Sequence, residues 1–399
     1  MTNRAVSYPS LPIDDQTVVD FTRRLVQIDS VNGHEEAAAT FIAETCHENG
    51  LKVKTCEVEK GRPNVLAILP GESERIGLVF HGHTDTVPFL GMENPLSGEV
   101  IDGSIWGRGS VDQKGGLAAA VLALLALKKS GIRLTKSLAV AAVIDEESEH
   151  RGSYALLGEN FSADAAIITE PSDLQLLVAH KGTAPIRITF TGVLAHGSNP
   201  WAGVNAIEMA ARTIMRLKSV DLKSVEIPGV GRMQATFNVG LIEGGSAYNN
   251  VADKCFIWLD RRTVPGEDQN SALEGVRRLL AEMAKEDPTF KAEAEIARPD
   301  WKWEPIRQRG LKPSMTLPDS PVALAVAAAH LQQTNRKVEI GFTNGYNDGD
   351  FLVNDLGIPT VNYGPGESVR SHTHQEKLSI NHLLTAVKVY AQTAIQMAG

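Results

Sequence analysis

IGLVFHGHTD, residues 76–85, holds the transition on which the fold turns. Its first five residues are a short, β-rich apolar run. The rest is ionisable or small, with His81, His83 and Asp85 following one another at alternate positions. Ligand sites in open α/β sheets lie beyond the carboxyl ends of the strands. A strand that stops in histidines and an aspartate therefore predicts both an architecture and a place for chemistry. The same boundary recurs along the chain. Residues 138–144 end in Asp145-Glu146-Glu147, and residues 165–169 end in Glu170-Pro171. Residues 358–362 lead through Gly364-Pro365-Gly366 to His372, and Asp112 precedes the Gly115-Gly116 start of an apolar helix. Singly, these features have ordinary structural uses. A Glu-Pro step is a turn signal, and an aspartate before a helix suits its dipole. Jointly, they send His83, Asp112, Glu147, Glu170 and His372 toward one rim. Two imidazoles and three carboxylates suit a pair of borderline divalent cations such as zinc.

Outward from this stretch the chain reads as an interrupted α/β domain. Helical apolar spacing covers residues 17–29, 35–49 and 116–129. Short β-rich runs cover 65–69, 76–80, 138–144 and 165–169. Such alternation predicts a largely parallel or mixed sheet covered on both faces. From about Ala184 the texture changes. Ile186, Ile188 and Phe190 alternate with Arg187, Thr189 and Thr191 in a half-exposed strand. A helix at 205–217, strands at 236–241 and 254–260, a helix at 269–285 and a strand at 291–297 complete a β-α-β-β-α-β order. That order predicts an inserted ferredoxin-like unit. A helix at 320–332, a strand at 358–362 and a helix at 381–396 return to the first domain. The expected division is 1–183, 184–298 and 299–399.

Composition bounds the function. The 399 residues favour more than one domain. A net charge of −9 argues against nucleic acid as a partner. Cys46, Cys56 and Cys255 are odd in number and lack metal-site spacing, which predicts reduced thiols in a cytoplasmic protein. Met1 to Gln16 carries no apolar core of signal-peptide length. Residues 117–127, the most apolar stretch, are too short to span a bilayer.

The motifs resemble those of the acetylornithine deacetylase and succinyl-diaminopimelate desuccinylase family of metal-dependent amidohydrolases, with its carboxypeptidase and dipeptidase relatives. His81-Gly82-His83-Thr84-Asp85-Thr86-Val87-Pro88 resembles the first motif. Residues 107–116, GRGSVDQKGG, are similar to the second. Asp145-Glu146-Glu147, Glu170-Pro171 and His372-Thr373-His374-Gln375-Glu376 are similar to the others. Ala195-His196-Gly197-Ser198-Asn199-Pro200, Gly244-Gly245 with Asn249, and Asp260-Arg261-Arg262 resemble motifs of the family's inserted lid domain. The resemblance implies a zinc-exopeptidase-like catalytic domain with a lid that also dimerises. It implies two divalent metals, most often zinc, with cobalt or manganese as alternatives. Asp112 would bridge them, His83 and Glu170 completing one and Glu147 and His372 the other. Asp85 would orient His83, and Glu146 would be the general base. His196 would donate to the developing oxyanion, in cis or across the dimer. Asn249 and Arg262 would hold the substrate, the arginine through its bidentate fork.

The remaining features refine these expectations. His81 is expected to face the sheet interior or a backbone partner, His180 to be structural, and His150 and His330 to be surface or packing residues. His374 competes with His372, and the spacing to Glu376 favours the latter. Trp201, Trp301 and Trp303 are expected to pack the lid and hinge. Asp350 occupies a place where many deacylases carry arginine. That predicts a substrate contact which repels a carboxylate or favours an amino group. The function expected is hydrolysis of a small N-acyl amino acid or related amide. The first rival is a dipeptidase or carboxypeptidase with the same machinery; a metal-free binding protein is the rival from another class.

Overall fold

A computed structural model describes residues 12–158, 161–298 and 301–399. It divides into two compact units. The first comprises Met1–Ala179, Met315–Phe342 and Asn347–Gly399; the second comprises His180–Ser314 and Thr343–Tyr346. The insertion is thus longer than 184–298 at both ends and takes in a short later segment. The expected boundary at 299 falls outside the described residues, as does most of Met1 to Gln16.

The first unit opens with helices α1 (Asp15–Val26) and α2 (Glu36–Glu48) and strands β1 (Lys52–Glu59), β2 (Arg62–Leu69) and β3 (Ser73–His83). Helix α3 (Lys114–Ser130), β4 (Lys136–Val143), α4 (Arg151–Gly158), β5 (Ala166–Ile168) and β6 (Leu176–His180) follow. The second unit contributes β7 (Gly182–Thr191), α5 (Ala206–Leu217), β8 (Thr236–Gly244), β9 (Lys254–Thr263), α6 (Gln269–Glu286) and β10 (Ala292–Ile296). The chain then returns through α7 (Pro321–Thr334), β11 (Thr360–Asn362) and α8 (Ile380–Ala398).

The main sheet is mixed, in the order β1-β2-β4-β3-β5-β11-β6. Its centre is parallel: β3 pairs with both β4 and β5, and β5 with β11. Strand β3 is apolar without alternation because both of its faces are covered. Phe80 turns to Tyr390 of α8, with ring centroids 4.9 Å apart. Val79 turns the other way, into a cluster with Ala139, Ala141, Ala166, Ile168 and Leu352. Helix α3 is buried along nearly its whole length, and α8 packs beside it. Gly116 lets α3 start hard against the sheet, since a Cβ there would lie 2.0 Å from the Thr169 carbonyl oxygen. Gly131 closes the helix in the left-handed conformation, at φ 69°. Strand β1 escapes sequence reading because it is a charged, mostly solvent-facing edge strand paired only with β2.

The second unit has the expected β-α-β-β-α-β course, with an added hairpin at Ser224–Ile227 and Gly231–Gln234. Its four-stranded antiparallel sheet runs β8-β9-β7-β10. Ile186, Ile188, Phe190, Cys255, Ile257 and Leu259 form one core with Met209 of α5 and Val276 and Leu280 of α6. Both helices therefore lie on one face. Trp201 does not pack as expected: it is 82% exposed. A three-residue 3-10 turn, Pro200–Ala202, holds it out from the core.

Candidate metal centre

The centre stands at the carboxyl ends of the parallel strands of the first unit. His83 is the last residue of β3, Asp145–Glu147 follow β4, and Glu170 follows β5. Asp112 precedes α3, and His372 lies on the segment before α8, with a left-handed backbone at φ 62°. The fold gathers these residues into two three-residue groups, His83–Asp112–Glu170 and Asp112–Glu147–His372, that share Asp112.

The separations test whether metals fit. Ligand atoms about 2.1 Å from a tetrahedral zinc stand about 3.4 Å from one another. His83 Nε2 is 3.3 Å from Asp112 Oδ1 and 3.3 Å from Glu170 Oε1. His372 Nε2 is 3.3 Å from Asp112 Oδ2 and 2.9 Å from Glu147 Oε1. The two oxygens of Asp112 therefore face different histidines, as a bridging carboxylate requires. Glu146 belongs to neither group, yet its Oε2 comes within 4.0 Å of His83 Nε2.

Electrostatics agree. Burial, and then repulsion from Asp112, pushes Glu170 up to about 7. Burial and Asp112 likewise raise Glu147, while burial, Glu170 and Asp348 hold Glu146 well above the usual carboxyl range. Hydrogen bonds to Asp112 and Glu147 raise His372 to about 10. Burial opposes a charge on His83, but its contacts with Asp112, Asp85 and Glu170 raise it well above the ordinary imidazole value. Desolvated carboxylates at this density call for positive charge, and a divalent ion in each group would supply it.

The surroundings fix the candidate ligands. His83 Nδ1 donates to the Asp85 backbone carbonyl at 2.9 Å, which leaves Nε2 for a metal. The Asp85 carboxylate stands farther from that ring nitrogen, at 3.4 Å. Its shorter bonds come from the amides of Glu146 (3.1 Å) and Glu147 (3.0 Å) and from Asn32 Nδ2 (3.0 Å). Asp85 thus positions the glutamate pair as much as the histidine. Gln113 donates to Glu170 and accepts from Thr169 Oγ1 at 2.6 Å. Glu376 accepts from the amides of Val111 (3.0 Å) and Asp112 (3.1 Å) and pairs with buried Arg108. In the sequence Glu376 serves only to choose between His372 and His374; in the fold it clamps the loop that carries the shared aspartate.

Other expected residues lie elsewhere. His196, Asn249 and Arg262 belong to the second unit. His196 is exposed, with Nδ1 2.7 Å from Ser198 Oγ, and the Gly197 amide donates to the Asn249 carbonyl at 2.7 Å. Arg262 is ion-paired to Asp260 at 2.9 Å. Asp350, expected to contact substrate, lies in the first unit. It is fully buried, and Oδ1 accepts from Asn354 Nδ2 at 2.8 Å within the same turn. His81 turns inward, with Nε2 2.9 Å from Ser153 Oγ. His150, expected as a surface or packing residue, is buried, with Nδ1 2.9 Å from Asp348 Oδ1. No sequence signal marks that pair, because its members are far apart in the chain.

Two three-residue groups sharing a carboxylate, with a further glutamate beside them, define a metal-dependent hydrolase. Residues 79–396 match peptidase family M20/M25/M40, and the chain belongs to that family. It is similar to an acetylornithine deacetylase of Aliivibrio salmonicida, 31% identical over 360 residues that cover 88% of this chain and 89% of the relative. An N-formyl-4-amino-5-aminomethyl-2-methylpyrimidine deformylase of Bacillus subtilis is 27% identical over 379 residues, covering 89% and 87%. Among solved structures, a tripeptidase from Staphylococcus aureus superposes with a TM-score of 0.77 at 25% identity, covering 96% of this chain and 99% of its own. A dinuclear metal-binding peptidase of the family from Bacillus subtilis shares the fold, with a TM-score of 0.72 at 16% identity over 96% and 97% of the two chains. The protein is a metal-dependent amide hydrolase whose centre is built for two divalent ions.

Proposed function

We propose that the protein hydrolyses the amide bond of a small N-acylated amino acid. His83, Asp112 and Glu170 would hold one cation, and Asp112, Glu147 and His372 the other. The observation that carries this reading is Glu146, 4.0 Å from His83 yet outside both ligand groups. A general base must reach the attacking water without being spent as a ligand. The all-nitrogen-and-oxygen donor set suits zinc, with cobalt or manganese as substitutes. When bound, the cation pair acidifies a water and polarises the scissile carbonyl. Glu146 takes the proton from the attacking water as the carbon–oxygen bond forms. It passes that proton to the leaving nitrogen as the carbon–nitrogen bond breaks, giving a carboxylic acid and an amine. His196 donates to the developing oxyanion. Arg262 binds a substrate carboxylate with its planar fork after exchanging Asp260 for it, and Asn249 supplies a neutral hydrogen-bonding partner.

The relatives named for deacetylation and deformylation support an acyl group as the part removed. A second reading, cleavage of a short peptide, is favoured by the likeness to the staphylococcal tripeptidase. A panel of N-formyl, N-acetyl and N-succinyl amino acids beside di- and tripeptides, with added zinc, cobalt or manganese, separates the two. Turnover of acyl amino acids above peptides is expected. Cleavage of peptides alone favours the second reading, and cleavage of neither rejects both.

The second unit serves as a lid and as the surface of a homodimer in this reading. Its strand β8 is a sheet edge on which Leu241 is 45% and Ile242 47% exposed. Apolar side chains on an open edge invite pairing with a second copy. Cys46, Cys56 and Cys255 form no disulfide, which suits a reducing cytoplasm. Among the described residues no helix is long and apolar enough to cross a membrane.

A further inference from the structure

Behind Glu146 lies a second cluster that binding of two metals leaves unused. An oxygen of Glu146, a ring nitrogen of His150 and an oxygen of Asp348 all lie within 4.8 Å of one another. Asp348 is tightly engaged. Its Oδ1 accepts from His150 Nδ1 at 2.9 Å, and its Oδ2 accepts from Ser153 Oγ at 2.5 Å. Ser153 Oγ in turn stands 2.9 Å from His81 Nε2. His150, Asp348, Ser153 and His81 are all buried. The cluster draws on β3, the turn between β4 and α4, the first turn of α4, and the segment before β11.

The backbone reinforces the point. His150 sits at φ 56°, in the left-handed region. Its amide donates to the Asp145 carbonyl at 2.7 Å, and Asp145 is gripped by Arg62 at 2.7 Å and Asn32 at 2.9 Å. A non-glycine residue in that region carries a backbone cost, and such residues concentrate at functional sites. Here the turn keeps an imidazole where glycine would be relaxed. An oxygen of Glu146 and an oxygen of Asp348 lie within 4.8 Å of each other and of the same ring. Without the pinned ring, the Glu146 side chain gains room to leave the position it needs.

We infer that His150, held by Asp348, is a positioning residue that fixes the Glu146 carboxylate at the metal centre. The inference rests on the reading of Glu146 as general base. With one ring nitrogen engaged by Asp348, the imidazole is a pinned, rigid neighbour within 4.8 Å of the Glu146 carboxylate, a place that the smaller asparagine side chain does not fill. Removing either member of the dyad leaves the same defect, a base that wanders, and the two losses are therefore one loss.

The test uses metal-loaded protein and an acyl amino acid or peptide that the wild type cleaves. His150→Asn, which suits a left-handed backbone, Asp348→Asn and the double variant are assayed for kcat, KM and bound metal. Each single variant should lower kcat about 10- to 100-fold at unchanged KM, with two metals retained. The double variant should fall no further than about threefold below the worse single. Ser153→Ala removes only a hydroxyl from Asp348 and is read the same way should His150→Asn not fold, with a smaller kcat loss of about threefold or more. Single variants within threefold of wild-type kcat overturn the inference, as do losses that multiply or that track loss of metal. A third metal equivalent in the wild type, absent from His150→Asn, also overturns it by making the cluster an ion site. Glu146→Gln is the control. If that variant keeps full turnover, the reading of the base falls; if it is inactive while His150→Asn is not, only the positioning role falls.

Discussion

At the scale of single residues, the proposed function rests on two adjacent glutamates with divided tasks. Glu147 Oε1 lies 2.9 Å from His372, whereas Glu146 stands outside both ligand groups. Glu146→Gln should cut kcat about 100- to 10,000-fold, the range for loss of a general base, while metal content stays at the wild-type level. Assays paired with metal analysis check this. A different residue governs an acid limit to stability. His330 is buried, with Nδ1 2.8 Å from the Tyr363 hydroxyl, and burial lowers its pKa below the ordinary 6.5. Between that lowered value and about 6.5 the unfolded chain binds a proton that the folded chain does not. The contribution to stability is therefore present above about pH 6.5 and lost as pH falls below it. Relative to His330→Gln, which has no proton to gain, the wild type should lose thermal stability between pH 7 and pH 5. Melting curves of the two at both pH values would detect it; parallel shifts would refute it.

At the scale of elements, the centre depends on how closely a helix start and a loop are held to the strand ends. Gly116→Ala would place a Cβ 2.0 Å from the Thr169 carbonyl, backbone that cannot swing aside, one residue before Glu170. Overpacking of this kind costs about 1–3 kcal/mol or more. Because the displaced strand end carries a candidate ligand, activity should fall along with the melting temperature. Glu376 performs a parallel task for the loop of Asp112. Its carboxylate and the Arg108 guanidinium are both almost wholly buried. Glu376→Ala would strand the arginine at a cost of about 3–5 kcal/mol, and free the Val111 and Asp112 amides. We expect a metal affinity about 10- to 100-fold weaker, measured by competition with a chelator. Glu376→Gln, which can still accept from both amides, should keep more of that affinity.

At the scale of the whole molecule, metal binding should stabilise the fold, because the candidate ligands come from segments spread between His83 and His372. A chelator should abolish turnover and lower the melting temperature, since bound ion at about 1,000 times its Kd stabilises by about 4 kcal/mol. Added zinc should restore both. The homodimer proposed through β8 predicts a dimer for the wild type and a monomer for Leu241→Asp with Ile242→Asp in sedimentation experiments. The sequence by itself determined the alternation of strands and helices, the strand-end placement of His83, Glu147 and Glu170, and the ferredoxin-like order of the insertion. Those features are local: each is written as apolar periodicity or as a short motif whose members touch. It could not supply β1, whose charged edge carries no apolar signature, nor the true extent of the insertion. Nor could it reveal that Asp350 is buried against Asn354, that Trp201 stands exposed, or that His150 meets Asp348 behind the base. These were decided only in the tertiary structure, because burial and the pairing of charges distant in sequence come into being when separate strand ends are brought to one rim.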